Sequence, residues 1–466
     1  MSALAAYDAV NLLSDPVYGY CQITKPIGDG ASSEQDLVDH PFLQRLRRIH
    51  QLQSAWWVFH TAEHSRFQHV VGVMHLAGQF ATQLYPSLAA SCADTPSPQL
   101  VEETLRVAGL CHDVGHGPFG HFFDQQVLRR QGLDHEDMGR AMVLGPLADP
   151  IASLRRSPTG AFAPAEAVDP AAVAWVMAPR ELEGFTPPAW LRALKPVLCG
   201  LASADNMDYV PRDAYVCGIA IGPVDVARLR HYMFVTDGTL VLHQHGAGAL
   251  GMFLNSRLYL YNQVYFHRTV RRIDLHLRGI FADTVARLLP EGDPRQQLQA
   301  YLGLTDWSVL ELVARLQRAP VDDTERRLGE RWAQVTTREL PWRLAYETYE
   351  EISLPRPGAP APGAAELGDR IRAELPARWR GAGIEVDLAT TDPRPVNPVV
   401  DAGVLSLFDP IRRTVRREGA VELLTRLLPL HTTLLRVYTD SADASTAIRE
   451  AAERVPGPSQ RASDSS

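Results

Sequence analysis

Apolar residues recur at three- and four-residue spacing along most of the chain, and this period predicts a mainly helical fold. From Leu37 the run LVDHPFLQRLRRIHQL turns helical, and further helices are expected over 61–84, 98–112, 122–131, 135–147, 170–178, 189–218 and 247–287. Pro98 suits the first turn of its helix, where the missing N–H costs nothing. Strand signals are few. Residues 12–27 read as a small strand pair and 28–36 as a polar loop. Met233–His243 reads as a hairpin with Asp237-Gly238 at its turn. Ile384–Leu388 and Arg436–Thr439 read as strands around a helix at about 412–428. The pattern divides the chain into an N-terminal strand pair and loop (1–36), a helical body (37–290) and a helical extension (291–353). A Pro/Gly/Ala-rich linker or loop (354–365), a small α+β appendage (366–454) and a disordered tail (455–466) follow.

Composition changes this picture little. With 466 residues, 45% hydrophobic and 21% charged, the chain has an ordinary globular balance. Its formal net charge of -8 argues against a dedicated nucleic-acid binder. The five cysteines form no C-x-x-C pair and read as reduced residues of a cytosolic protein. The N-terminus lacks the basic and apolar regions of a signal peptide, and no run of 18 apolar residues suggests a membrane span. A cytoplasmic location is expected.

The chemistry concentrates in one stretch, Leu105 to Asp124 (LRVAGLCHDVGHGPFGHFFD). Adjacent His112 and Asp113 offer an imidazole nitrogen and a carboxylate to one divalent ion that activates water. Gly115, Gly117 and Pro118 break the helix just beyond them, so His116 and His121 can fold back over the ion. Ten of the sixteen histidines lie between His40 and His135, which favours a site over scattered packing. Arg66 and His69, three residues apart, share a helix face and point a guanidinium and an imidazole the same way. A further ligand is assigned to Asp205, whereas Asp208 reads as an i,i+4 ion pair with Arg212. Arg257, Tyr261 and Tyr265 repeat every four residues and form one helix stripe, with a planar fork for phosphate and rings for stacking. His and Asp donors accept Mn, Fe, Mg, Zn or Co, so the ion's identity stays open.

The strings HSRFQHVVGVMHLA, GLCHDVGHGPFGHFFD, DHEDMG and ADNMDYVPRDAYVCGI resemble the HD-domain phosphohydrolase superfamily, and within it the deoxynucleoside triphosphate triphosphohydrolase branch. The resemblance runs from about Asp15 to Arg272. It implies a mainly helical HD domain at 37–290 that hydrolyses deoxynucleoside triphosphates to deoxynucleoside and triphosphate, by attack of water on the α-phosphorus. The implied metal ligands are His69, His112, Asp113 and Asp205. Arg66 matches an arginine on substrate phosphate; His116, His121, Asp124 and His135 match positions that line the phosphates or transfer protons. His121 is the first candidate for protonating the leaving 5′-oxygen, with Asp124 orienting it, and His135 the second. Gln51 and Leu52 match a sugar sensor, and Tyr209, Asp213, Arg257, Tyr261 and Tyr265 match the rest of the nucleotide pocket. Asp39, Gln44 and Arg47 match a nucleotide activator site, where this chain departs by carrying Asn11, His243 and His245 in place of basic residues. The branch commonly has glycine where this chain has Gln53. A homo-dimer or homo-tetramer is expected on resemblance alone.

Two rival readings stand beside this one. The first is an HD phosphohydrolase acting on nucleoside monophosphates or other phosphoesters; the Gly-Tyr-Pro motif of the dinucleotide-cleaving branch is absent from this sequence. The second is a nucleotide- or single-strand-binding regulator with weak or lost catalysis, for which the basic clusters Arg45–Arg48 and Arg268–Arg272 would supply contacts. The intact ligand set argues against lost catalysis.

Overall fold

A computed structural model describes residues 9–28, 30–351, 363–391, 406–416 and 432–455. Residues 354–362 of the expected linker segment, 417–428 of the expected helix and 456–466 of the expected tail lie outside them. The chain divides into two compact units. The first takes residues 1–256, 285–309 and 394–424; the second takes 257–284, 310–393 and 425–466.

The first unit opens on a hairpin of β1 (Val10–Asp15) and β2 (Gly19–Thr24), paired antiparallel from Val10↔Thr24 to Asp15↔Gly19. Two long helices form its centre, α1 (Arg66–Ser91) and α2 (Pro98–Cys111). Helix α1 begins at Arg66 rather than at the expected Thr61, because an isolated bridge, His50↔Ser65, holds the preceding residues extended. Ser97 caps α2 by accepting from the Leu100 amide, and Pro98 fills the first helical position. The two helices cross tightly at Gly109, where a Cβ would lie 3.0 Å from the Val73 carbonyl oxygen. Shorter helices α3 (His121–Gln126) and α4 (His135–Val143) follow. Asp134 caps α4 in a capping box with Asp137.

The helix expected over 189–218 is three pieces, Ala189–Leu194, Pro196–Cys199 and α5 (Ala204–Cys217). Pro196 cannot continue the helix before it, and Ser203 starts a new one by capping the Asn206 amide. Strands β3 (Met233–Thr236) and β4 (Thr239–His243) form the expected hairpin; Asp237 and Gly238 take the positive φ values, 49° and 66°, that its turn needs. Helix α6 (Ala247–Leu260) follows.

The second unit holds α7 (Arg268–Arg278), α8 (Asp306–Arg318, whose first turn belongs to the first unit) and α9 (Asp323–Thr336). The long helix expected over 247–287 stops at Leu260; a π-turn spans Tyr261–Tyr265, closed by a Phe266 amide bond to the Tyr261 carbonyl at 2.9 Å. Its three-stranded antiparallel sheet runs in the order β5 (Arg343–Glu351), β9 (Thr432–Thr439), β6 (Ile384–Thr391). Residues 343–351 are thus a strand, where periodicity suggested helical extension. Helices α10 (Ala364–Ala373) and α11 (Ser445–Arg454) bury Leu367, Ile371 and Ile448 against Val386, Leu435 and Val437 of the sheet. In the first unit, β7 (Ser406–Asp409) pairs parallel with β4, and β8 (Thr414–Arg416) is a strand where a helix was expected. Among the described residues no helix is long and apolar enough to cross a membrane.

Candidate metal centre

Helix α1 delivers His69 and the turn after α2 delivers His112 and Asp113, while the first turn of α5 delivers Asp205. Asp205 Oδ1 lies 3.1 Å from His69 Nε2 and 3.7 Å from His112 Nε2. Asp113 Oδ1 lies 3.4 Å from His112 Nε2, and its Oδ2 lies 3.9 Å from His69 Nε2. The ligand atoms of His69, His112 and Asp205 all fall within 4.8 Å of one another. His112 Nε2 is buried without a hydrogen-bond partner among the described residues, and its other nitrogen is spent on the Gly109 carbonyl at 2.8 Å. Two imidazoles and two carboxylates converging on one point, one of them with an orphaned nitrogen, fit a divalent cation.

The electrostatics agree. Burial disfavours a charged His69, but hydrogen bonds to Asp205 and Asp208 and their charges outweigh it and lift the ring to about 10. Burial opposes ionisation of Asp113 too, yet the His112 and Arg66 charges hold its carboxyl well below the usual range. A cation and a proton therefore compete for His69 Nε2.

Arg66 is tied to the centre through Asp113. Its Nη1 donates to Asp113 Oδ2 at 2.6 Å, inside a 3% exposed side chain. It neutralises Asp113 directly, and its buried Nε has no partner among the described residues.

A second group lies beside the first. His116, His121, Asp124 and His135 bring their ligand or proton-carrying atoms within 4.8 Å of one another. His116 Nε2 lies 3.3 Å from Asp113 Oδ1, so Asp113 touches both groups. His116 stacks on His135 with centroids 3.8 Å apart. Burial, with the Arg66 and His135 charges, pushes His116 far below the imidazole range and keeps it neutral.

Of the positions matched to a pocket, Leu52 is buried and Gln51 is half-buried, with its Oε1 lacking a partner among the described residues. Asp213 is buried with its carboxylate 2.8 Å from His64 Nε2. Tyr209 is half-buried on α5. Arg257, Tyr261 and Tyr265 fall in the second unit. There the stripe holds despite the π-turn: the Arg257 guanidinium lies 5.3 Å from the Tyr261 centroid, and the two tyrosine rings meet edge-on at 4.7 Å. Among the activator positions, Asp39 ends the helix Glu34–Val38. Arg47 donates to Gln44 at 2.8 Å and sits over the Phe67 ring.

Three of the six arginines in the basic clusters are committed to internal bonds. Arg45 is fully buried and donates to the Leu304, Val114 and His116 carbonyls. Arg271 forms a fork with Asp387, and Arg272 donates to the Leu340 carbonyl. Single-strand contacts through Arg45, Arg271 and Arg272 would require breaking these bonds.

Several contributors carry no local signal. Asp306 is fully buried; its Oδ2 accepts from the His50 amide and its Oδ1 from the Phe119 amide, each at 2.8 Å. His50 also stacks on Trp56, and Trp57 leans on Phe119.

The HD domain family matches residues 66–158, the segment that carries His69 to His135. The Bacillus subtilis protein YwfO is 30% identical over 269 residues, covering 58% of this chain and 54% of its own. The Dictyostelium discoideum homolog of the deoxynucleoside triphosphate triphosphohydrolase SAMHD1 is 25% identical over 327 residues, 68% of this chain and 56% of its own. The matched region thus spans little more than half the length of these two relatives. Human SAMHD1 is 38% identical over 124 residues, 26% of this chain and 18% of its own. Two crystal structures share the fold. A hypothetical protein from Aquifex aeolicus superposes with a TM-score of 0.67 at 23% identity, covering 95% of this chain and 99% of that one. A phosphohydrolase from Bacteroides thetaiotaomicron superposes with a TM-score of 0.65 at 19% identity, covering 92% and 99%. The chain carries an HD domain at residues 66–158, in a mainly helical fold shared with these two structures.

Proposed function

We propose that the protein hydrolyses deoxynucleoside triphosphates to deoxynucleoside and triphosphate. The observation that carries this reading is the pairing of two groups across Asp113: a cation-binding set of His69, His112, Asp113 and Asp205, and beside it a set of imidazoles suited to phosphate and proton transfer. The similarity to proteins named as deoxynucleoside triphosphate triphosphohydrolases supports the substrate class.

When bound, the divalent ion supplies Lewis acidity toward a phosphoryl oxygen and lowers the pKa of water. The protein's own residues do the rest. Arg66 holds Asp113 ionised and in place. His116, kept neutral by burial and by Arg66, lines the phosphate side of Asp113. His135, held by Asp124 in its protonated form, is the group best placed to give a proton to the leaving 5′-oxygen. His121, more than half exposed, is better suited to contacting the phosphates.

Product analysis tests this. The purified protein is incubated with Mn and each dNTP and NTP, products are separated by ion exchange, and Asp113→Asn is run in parallel. Deoxynucleoside plus intact triphosphate, absent in the variant, is the expected result. No triphosphate from any nucleotide, with or without a second nucleotide as activator, would sink the reading and turn attention to monophosphates.

A further inference from the structure

We infer that Asp208, Arg212 and Asp15 form a positioning relay that orients His69 from the N-terminal hairpin. The inference rests on the reading of His69 as a metal ligand. Nothing in the ligand set requires Asp208, which sequence spacing assigns to a plain helix ion pair. That pair exists: Arg212 Nε donates to Asp208 Oδ2 and Arg212 Nη2 to Asp208 Oδ1, each at 2.8 Å. Asp208 has a second task. Its Oδ2 also lies 2.8 Å from His69 Nδ1. A carboxylate only accepts, so Nδ1 carries the proton of that bond, and Nε2 turns toward Asp205 and Asp113.

The relay continues outward. Arg212 Nη1 donates to Asp15 Oδ2 at 2.8 Å. Asp15 closes the hairpin turn, its Oδ1 accepting from the Val17 amide at 2.8 Å and the Tyr18 amide at 3.0 Å. Every member is buried: side-chain exposure is 1% for His69, 0% for Asp208, 1% for Arg212 and 7% for Asp15. The planar guanidinium grips Asp208 by both oxygens and fixes its rotamer. The alternation of charge leaves one net negative charge behind His69, which raises the basicity of the ring toward a cation. His112 has only a backbone carbonyl in this role.

The backbone makes room for the relay. Gly72 lies three residues after His69 on α1, and a Cβ there would sit 2.0 Å from Asp208 Oδ1 and 2.3 Å from Arg212 Nη2. The absent side chain at Gly72 is therefore a condition for the Asp208–Arg212 fork to reach His69.

The test is Mn binding by the full chain, read by electron paramagnetic resonance of free Mn, with circular dichroism and melting temperature as checks on folding. His69→Ala is expected to lose the ion. Asp208→Asn should weaken Mn binding by roughly 10–100-fold, the usual effect of removing such a partner. Asp15→Asn is isosteric and keeps both turn hydrogen bonds, so it reads the relay in a folded protein; several-fold weakening is expected. Gly72→Ala should weaken binding without changing any charge. The double variant Asp15→Asn/Asp208→Asn should bind no worse than Asp208→Asn alone, because members of one relay are not additive. A purely structural role for the pair would lower the melting temperature and leave Mn affinity alone. Wild-type Mn affinity in Asp15→Asn and Asp208→Asn, with the ion lost in His69→Ala, overturns the relay. Wild-type affinity in His69→Ala overturns the metal reading beneath it.

Discussion

Asp124 holds His135 more closely than His121: its Oδ2 lies 2.6 Å from His135 Nδ1 and 3.4 Å from His121 Nδ1. Sequence spacing leaves two candidates for the oriented imidazole, His121, with Asp124 at i+3, and His135. The structure gives the shorter bond to the partner eleven residues on. His121 is also 56% exposed at its side chain, against 16% for His135.

This pairing has a pH signature. Burial would lower His135, but the hydrogen bond to Asp124 and its charge outweigh burial and lift the ring to about 9. Because the folded value lies above the ordinary one of about 6.5, the pair's stabilisation is complete below that value and is lost as pH rises through about 9. A proton donor at this value stays charged through neutrality, so kcat should fall on an alkaline limb near pH 9. Asp124→Asn should move that limb to lower pH and cut kcat by roughly 10²–10⁴-fold. A limb that stays put in Asp124→Asn but moves in His121→Ala would give the role to His121.

Metal affinity should weaken as pH falls. The carboxylates of Asp205 and Asp208 keep a proton on His69 up to about 10, and a divalent ion must displace it. Each unit of pH decrease between 8 and 6 should cost about tenfold in apparent affinity per proton released. Calorimetric titration in buffers of different ionisation heats counts that proton. An affinity flat across this range would mean that His69 Nε2 is not a ligand.

Asp306 should matter to the centre without touching it. It accepts the Phe119 amide, whose residue takes φ 62°, and the amide and ring of His50. A bulky residue in the left-handed region persists only when its surroundings hold it there. Asp306→Ala leaves these buried donors unmet and should destabilise the first unit by about 2–4 kcal/mol, as measured by denaturant unfolding. Asp306→Asn, which keeps one acceptor, should cost less. Equal stability in wild type and Asp306→Ala would show that the Phe119 turn needs no such anchor.

The contrast between these residues explains what could be read from the chain. The His112–Asp124 stretch is legible because its chemistry is packed into one turn-rich segment, and α2 because Ser97 and Pro98 mark its start. The β3–β4 hairpin follows from Asp237-Gly238. Asp306 and Asp208 are different: their partners Phe119 and His69 lie 187 and 139 residues away, and periodicity carries no information on such pairs. The helix over 189–218 was overextended because apolar spacing continues through Pro196 and Gly200, while the backbone obeys the missing N–H and the Ser203 cap. Arg66 reads as a phosphate contact because an arginine one turn from a ligand faces the same way; that its Nη1 also donates to Asp113 depends on the fold of the intervening turn.

That last relationship can be broken from the other side. Gly120 has φ 54°, and a Cβ there would lie 2.3 Å from Arg66 Nη2. Gly120→Ala must therefore push the guanidinium, bend the turn, or both. If Arg66 chiefly keeps Asp113 ionised and placed, Gly120→Ala and Arg66→Lys should share one defect: weaker Mn binding with an unchanged KM. If Arg66 instead meets the substrate's phosphates, both should raise KM while Mn affinity stays at the wild-type value. The 2.6 Å bond from Arg66 Nη1 to Asp113 Oδ2 favours the first outcome, since displacing the guanidinium leaves a buried carboxylate uncompensated.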